Sequence, residues 1–177
     1  IEELSRRSLA VSVPYIMSAC YAGMNLVECA TEAQKAELFP KVVDGTLVFA
    51  YGWTEPDAGA DLASVKTRVE RVGDSVRING AKRFCSGAAI SDYIYALVRS
   101  GGEGERYKNL SMIMIPPDTK GVTITPIEGL GMKGAATTDV IFEDVEVPFE
   151  NVLHEEGHGV AVLMSGLDYE RTVLAGG

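Results

Sequence analysis

SVKTRVERVGDSVRING, Ser64 to Gly80, decides the fold, because its side chains alternate in character residue by residue. A period of two places successive side chains on opposite faces of a strand. Gly73-Asp74 interrupts the alternation where a hairpin turn needs residues that tolerate unusual backbone angles. The stretch therefore reads as two strands joined by a tight turn. YIYALV, LSMIMI, VTITPI and TDVIFEDVEV carry the same alternating or β-branched texture onward, separated by Gly, Asp, Asn or Pro. From Thr46 to about Pro148 these short strands imply an antiparallel β-barrel or sandwich.

On either side the texture is helical. IEELSRRSLAVSVPYIMSACYAGMNLVECA is rich in Ala, Leu and Met, with Pro14 expected at a helix start or kink. TEAQKAELFPKVVDG opens with a capping box, Thr31 and Gln34, and is expected to break at Pro40 before Gly45. Helix resumes from Gly157. Helices, a β domain and a further helix make the fold class α+β, with neither an internal repeat nor a low-complexity segment in the sequence.

The bulk composition excludes several functions. The 177 residues are 46% hydrophobic and 23% charged, the balance of a globular chain. The net charge of −9, from 16 basic and 25 acidic residues, comes with no basic block or Arg–aromatic platform, so nucleic acid is not an expected partner. No run approaches the roughly 18–20 apolar residues of a membrane span, and the start lacks the plan of a signal peptide. Cys20, Cys29 and Cys85 are odd in number and form no CxxC, which suits a reducing compartment. His154 and His158 could touch across one helical turn, but the glycine-rich HEEGHG favours a loop, and no metal site is expected. A chain that begins at Ile1 and stops just after an apolar helix reads as a piece of something longer.

Four segments could carry chemistry. In YGWTEPDAGAD, Tyr51 to Asp61, the small residues Gly52, Ala58, Gly59 and Ala60 would let a ligand approach the backbone, and Thr54 adds a hydroxyl. A plain turn between strands is the alternative. In INGAKRFCSGA, Ile78 to Ala88, Phe84 beside Ser86 could pack against a flat heterocycle and hydrogen-bond its edge; a core Phe with a turn Ser is the alternative. Cys85 reads as a buried small hydrophobe, since no His accompanies it. GLGMKG, Gly129 to Gly134, lacks the pattern of a phosphate loop and precedes a strand, so it is a connection inside the β domain.

The fourth segment is LDYER. Wound at about 100° per residue, Leu163, Leu167 and Leu174 fall within about 40° of one another, and Glu170 falls beside them. A carboxylate on an apolar stripe is costly unless it is neutral, paired or in use. Burial would raise its pKa and make it a competent base toward a weakly acidic C–H. Pairing with a charge on a neighbouring helix is the other reading. Asp168 and Arg171, three apart, could pair or bind a ligand together.

TEPDAGAD, NGAKRFCSG, GLGMKG…TTDVIFEDVEVPFENVL and GVAVLMSGLDYER, in this order and spacing, resemble the acyl-CoA dehydrogenase family of flavoproteins over nearly the whole chain. LMSGLDYERTVLAGG is most similar to the isovaleryl-CoA dehydrogenase branch. The resemblance implies the end of an N-terminal helical domain (1–44), a middle β domain (45–150) and the first helix of a C-terminal four-helix bundle (151–177). It implies FAD as cofactor, held around Tyr51, Trp53, Thr54, Gly59, Ala60, Phe84, Cys85 and Ser86. It implies an acyl-CoA thioester contacted by Ala60, Asp168, Tyr169 and Arg171, and oxidised to the trans-2-enoyl-CoA with Glu170 as base. In most branches the base lies on a later loop of the bundle; in the isovaleryl and long-chain branches it lies at the position of Glu170. An electron-transfer flavoprotein as acceptor, a homotetramer, and a bacterial cytoplasm or mitochondrial matrix as compartment are implied likewise. Ala60 stands where the family usually has serine, and Phe84 where many members have tryptophan. An acyl-CoA oxidase or related flavin monooxygenase of the same fold, or a non-catalytic β-domain module, are the alternatives.

Overall fold

The structure, a computed structural model, describes residues 1–101, 106–131 and 133–175. Met132 of GLGMKG and the closing Gly176-Gly177 lie outside the described residues. The chain opens with helices α1 (Glu2–Arg7), α2 (Leu9–Tyr15), a π-helical stretch Ile16–Ala22, α3 (Gly23–Cys29) and α4 (Glu32–Val43). Pro14 lies inside α2, where its missing N–H interrupts the hydrogen-bond ladder, and the wider π turns begin two residues later.

Ala10–Cys29 is a continuous helical run of 20 residues with mean hydropathy 1.3. By length and composition it could cross a membrane, which corrects the expectation that no such run exists. Half of it is buried inside the protein, and its middle packs on strand Phe49–Gly52 and on the closing helix, the position of a core helix. The capping box at α4 forms as the sequence predicts: Gln34 N–H donates to Thr31 Oγ1 (3.2 Å) and Thr31 N–H to Gln34 Oε1 (2.9 Å). The predicted break at Pro40 does not occur, and α4 continues to Val43. Leu38 is buried there, with Phe39 and Val42 packed against the same core. Tertiary contact on both sides of the proline outweighs one lost hydrogen bond.

Among the described residues the β zone is one sheet of eight strands. They are β1 (Phe49–Gly52), β2 (Arg68–Val72), β3 (Ser75–Ser86), β4 (Tyr93–Arg99), β5 (Leu110–Ile115), β6 (Val122–Pro126), β7 (Thr137–Pro148) and β8 (Val152–Leu153). The order is β6-β7-β3-β2-β4-β5-β8, with β1 against β4. The predicted hairpin is present: β2 pairs antiparallel with β3, Val72 opposite Ser75, around Gly73 at φ +63°. The sheet is mostly antiparallel, with a correction at β1, which runs parallel to β4 from Phe49↔Tyr93 to Gly52↔Ala96. Arg68↔Arg99 adds a second parallel contact, between β2 and β4. Parallel neighbours need a crossover connection, and here the β2–β3 hairpin itself serves as one.

Both faces of the central strands are covered. Phe49, Tyr51, Tyr95, Leu97, Met112 and Met114 face the helices, together with Leu26, Val162 and Leu163. Their alternate neighbours Ala50, Ile94, Ala96, Val98, Ile113 and Ile115 face a second cluster with Ile78, Val140 and Phe142. The period of two thus sorts side chains between two cores rather than between core and water. Helix α5 (Gly159–Leu174) closes the chain against the π stretch, α3 and β5.

Candidate functional site

The chain leaves the sheet at Trp53 and turns at once. Glu55 N–H donates to the Ala58 carbonyl (2.7 Å), and Ala58 N–H returns to Glu55 (3.2 Å). Pro56, whose fixed φ suits the first corner of such a turn, is left with Asp57 at an exposed tip. The Glu55 carboxylate points inward and is 6% exposed. It accepts from Lys66 N–H (2.6 Å), Thr67 N–H (2.9 Å) and Lys82 Nζ (2.8 Å). Lys82, 1% exposed, also donates to the Trp53 and Leu97 carbonyls, so all three ammonium protons have acceptors. Burial pushes the Lys82 ammonium pKa down, and Glu55 pulls it partway back. Burial alone would raise Glu55, but the Lys82 charge and the hydrogen bonds to its oxygens hold it below the usual range. Sequence reading did not single out this pair. The signal was parity: Val76, Ile78 and Lys82 sit on the inward-facing positions of one strand.

Immediately after Lys82 the strand bulges. Lys82 pairs with Val140 but Cys85 with Thr138, so β3 spends one more residue than β7 over this interval. Phe84 takes up the slack at φ +61°, a left-handed conformation that costs a side chain energy. The ring is turned out of the sheet and is 57% exposed. Arg83 N–H donates to the Thr54 carbonyl (2.8 Å), which sets the loop beside the bulge. The Arg83 guanidinium lies 5.1 Å from the Phe84 ring centre. Ser86 and Thr137 hydroxyls share a hydrogen bond of 3.2 Å.

The Arg83–Thr54 bond therefore joins the turn and the bulge in one patch carrying Thr54 and Phe84, with Gly59 and Ala60 exposed on the turn, while Ser86, two residues on, lines a small cavity beside α2. A Cβ at Gly59 would meet only Thr54 Cγ2, at 3.7 Å, so the backbone there is open to approach. Two expected residues turn away. Cys85 is fully buried in the β core, its thiol pushed up to about 12 by burial, and its carbonyl is taken by Thr138 Oγ1 (2.7 Å). Tyr51 is buried too, its hydroxyl donating to the Met17 carbonyl (2.6 Å). Trp53 is half-buried, its ring centre 4.7 Å from that of Tyr51.

The second group rides on α5. The helix sits close because two of its residues lack side chains. A Cβ at Gly159 would be 2.6 Å from the Ser111 backbone, and one at Gly166 would be 2.7 Å from Asn25 Nδ2. Asn25, fully buried on α3, donates to the Val162 carbonyl and to Ser165 Oγ. Further along, Asp168 and Tyr169 line a cavity of about 530 Å³ with Glu28, Ser165 and Thr172. Glu170 is half-buried, and burial raises its carboxyl pKa against the opposing pull of Arg171. Neither Glu170 nor Asp168 makes an ion pair among the described residues. Among the described residues Glu170 therefore meets Arg171 only as a nearby charge, and Asp168 and Arg171 stand unbridged.

A larger apolar cavity, about 890 Å³ between α2, the π stretch, α3 and α4, holds none of the residues expected to carry chemistry. Its walls are mostly apolar, among them Val11, Met24, Val27 and Phe39, with Tyr15 and Ser18 as polar side chains. The His154 and His158 rings do approach, with centres 5.2 Å apart, and Glu155 lies 3.7 Å from His158, but among the described residues no three such side chains are placed to hold a metal.

Residues 50–145 match the family model described as acyl-CoA dehydrogenase, middle domain. The chain belongs to the acyl-CoA dehydrogenase family. It is 37% identical over its whole length to a mitochondrial 2-methylacyl-CoA dehydrogenase of Solanum tuberosum, covering 43% of that protein. It is 35% identical to a mitochondrial isovaleryl-CoA dehydrogenase of Arabidopsis thaliana, again over all of this chain and 43% of the relative. Among solved structures, an acyl-CoA dehydrogenase from Geobacillus kaustophilus superposes with a TM-score of 0.93 at 32% identity, over 99% of this chain and 46% of that one. The chain thus spans less than half the length of these acyl-CoA dehydrogenases. Their shared fold places the bulge of β3 and the first turn after β1 in the domain that the family model describes.

Proposed function

We propose that the protein is an FAD-dependent acyl-CoA dehydrogenase that converts a short or branched acyl-CoA to its trans-2-enoyl-CoA. The observation that carries this reading is the exposed Phe84 ring, held out by a strained bulge whose preceding residue is bonded to Thr54 and which Ser86 follows two residues on. A flat apolar ring flanked by hydrogen-bonding groups fits an isoalloxazine, and the open backbone at Gly59 fits its close approach. Trp53 and Ala60 adjoin Thr54 and Gly59 along the chain; with their side chains buried, Tyr51 and Cys85 contribute only through their main chain. Bound FAD supplies the hydride acceptor.

The other half of the chemistry falls to α5. Glu170 removes the α-proton of the thioester, a role that suits a carboxylate whose pKa is raised by burial against the pull of Arg171. Asp168, Tyr169 and Arg171 hold the thioester side of the substrate. Electrons pass on to an electron-transfer flavoprotein, and the intact protein is a homotetramer in which residues 1–44, 45–150 and 151–177 belong to three domains.

The test is the rate of anaerobic flavin bleaching by a short branched acyl-CoA in the intact protein. Glu170→Gln is expected to slow it at least about 10²-fold while FAD stays bound. Bleaching at the parental rate would move the base to another residue.

A further inference from the structure

The buried Lys82–Glu55 pair has no part in the chemistry just proposed, yet it sits directly beneath the patch. Three consecutive loop residues are gripped by two consecutive strand residues. Lys82 Nζ holds the Trp53 carbonyl (3.3 Å) and the Glu55 carboxylate (2.8 Å), while Arg83 N–H holds the Thr54 carbonyl (2.8 Å). The next residue, Phe84, is the one turned outward. The Glu55 oxygens also bind the amides of Lys66 and Thr67, where the loop rejoins the sheet. Gly52 leaves room for the lysine stem, since a Cβ there would come within 3.3 Å of Lys82 Cγ.

Apolar contacts tolerate small sliding motions. A buried ammonium with fixed acceptors does not, because any shift leaves a charge or a carbonyl unsatisfied in a dry interior. A stability role alone could be filled by a pair of apolar side chains, which are often as good or better. What the charged pair adds is register between the loop and the bulge.

We propose that Lys82 and Glu55 are positioning residues, an internal clamp that fixes Thr54 relative to Phe84 and so sets the affinity of the patch for flavin. The ligand half of this proposal rests on the flavin reading above.

The Arg83 amide is the reporter, because its bond to Thr54 is touched by neither substitution. In the intact protein, Lys82→Met, Glu55→Gln and the double Lys82→Met/Glu55→Leu are compared with Val145→Ala, a destabilising change in the second core. The double variant removes both charges and keeps the test open if a single variant fails to fold. The clamp predicts that the folded double variant exchanges its Arg83 amide at least about tenfold faster than the parent and binds FAD at least about tenfold more weakly. Val145→Ala is expected to lower the melting temperature without either effect. Parental Arg83 exchange in the double variant would overturn the clamp. Parental FAD affinity with faster exchange would overturn its role in binding. A parent protein that binds no FAD would overturn the flavin reading and the affinity half with it, while the exchange result would still decide the clamp.

Discussion

Phe84 shows how one residue can serve the site at the expense of its own backbone. Its left-handed φ costs roughly 1–2 kcal/mol in a non-glycine residue. Glycine would relieve that strain but lose about 0.5–1 kcal/mol to unfolded-chain entropy. Because the ring is mostly exposed, little packing is lost, and Phe84→Gly is expected to leave unfolding free energy within about 1 kcal/mol of the parent. FAD titration of the same variant should show clearly weaker binding; unchanged affinity would mean that the ring does not face the cofactor. Glu170 makes a parallel case through charge. A carboxyl whose folded pKa is raised contributes stability below its ordinary pKa, and loses it as pH rises through the folded value. At neutral pH the ionised group is therefore a liability. Glu170→Gln is expected to raise the melting temperature at about pH 7.5 and to lose that advantage near pH 4. A lower melting temperature at the higher pH would show that the carboxylate is stabilised after all.

Among the elements, α5 depends on the narrow contact between Gly166 and Asn25. An added methyl must displace the Asn25 amide, whose hydrogens are committed to Val162 and Ser165. Gly166→Ala should cost about 1–3 kcal/mol from overpacking, less the roughly 1 kcal/mol that alanine gains in a helix. With Asn25→Ala in the same chain the methyl has space, so the two losses should fall short of additive in denaturant unfolding. Strict additivity would mean that the two residues do not touch. This contact was invisible in the sequence, which does not tell that Gly166 meets Asn25, 141 positions earlier. What was legible rests on periodicity and local chemistry: the Gly73-Asp74 hairpin, the Thr31–Gln34 cap and the helical close of the chain. What was not legible depends on partners far away in sequence. Pro40 stays helical because Leu38, Phe39 and Val42 already have a core to meet. Phe84 is exposed because β3 has one residue too many for β7, a mismatch that neither strand reveals alone. Lys82 is buried because its strand position meets a buried glutamate 27 residues earlier, a partner that the strand alone does not reveal.

At the scale of the whole molecule, the sheet serves as the wall between two cores. The helices cover one face, and the long strands β3 and β7 cover the other. The chain has a single tryptophan, and it stands on the helix side: Trp53 contacts both Tyr51 and Tyr21, the latter at 5.6 Å between ring centres. Its fluorescence is thus a reporter for docking of the helical layer. In refolding, the far-UV signal of the sheet should develop before the tryptophan signal reaches its native value. Simultaneous development would mean that both cores form in one step.

The bond from Asn25 to the Val162 carbonyl spans 137 positions of chain. That span makes α3 and α5 mutually dependent in time. As the polypeptide emerges from the ribosome, the apolar rod around Asn25 is complete long before the helix that covers it exists. Everything between must be synthesised, and the sheet must bring the two helices within reach, before that face is shielded. The interval is a window of vulnerability during synthesis, and its length is set by the β domain in between.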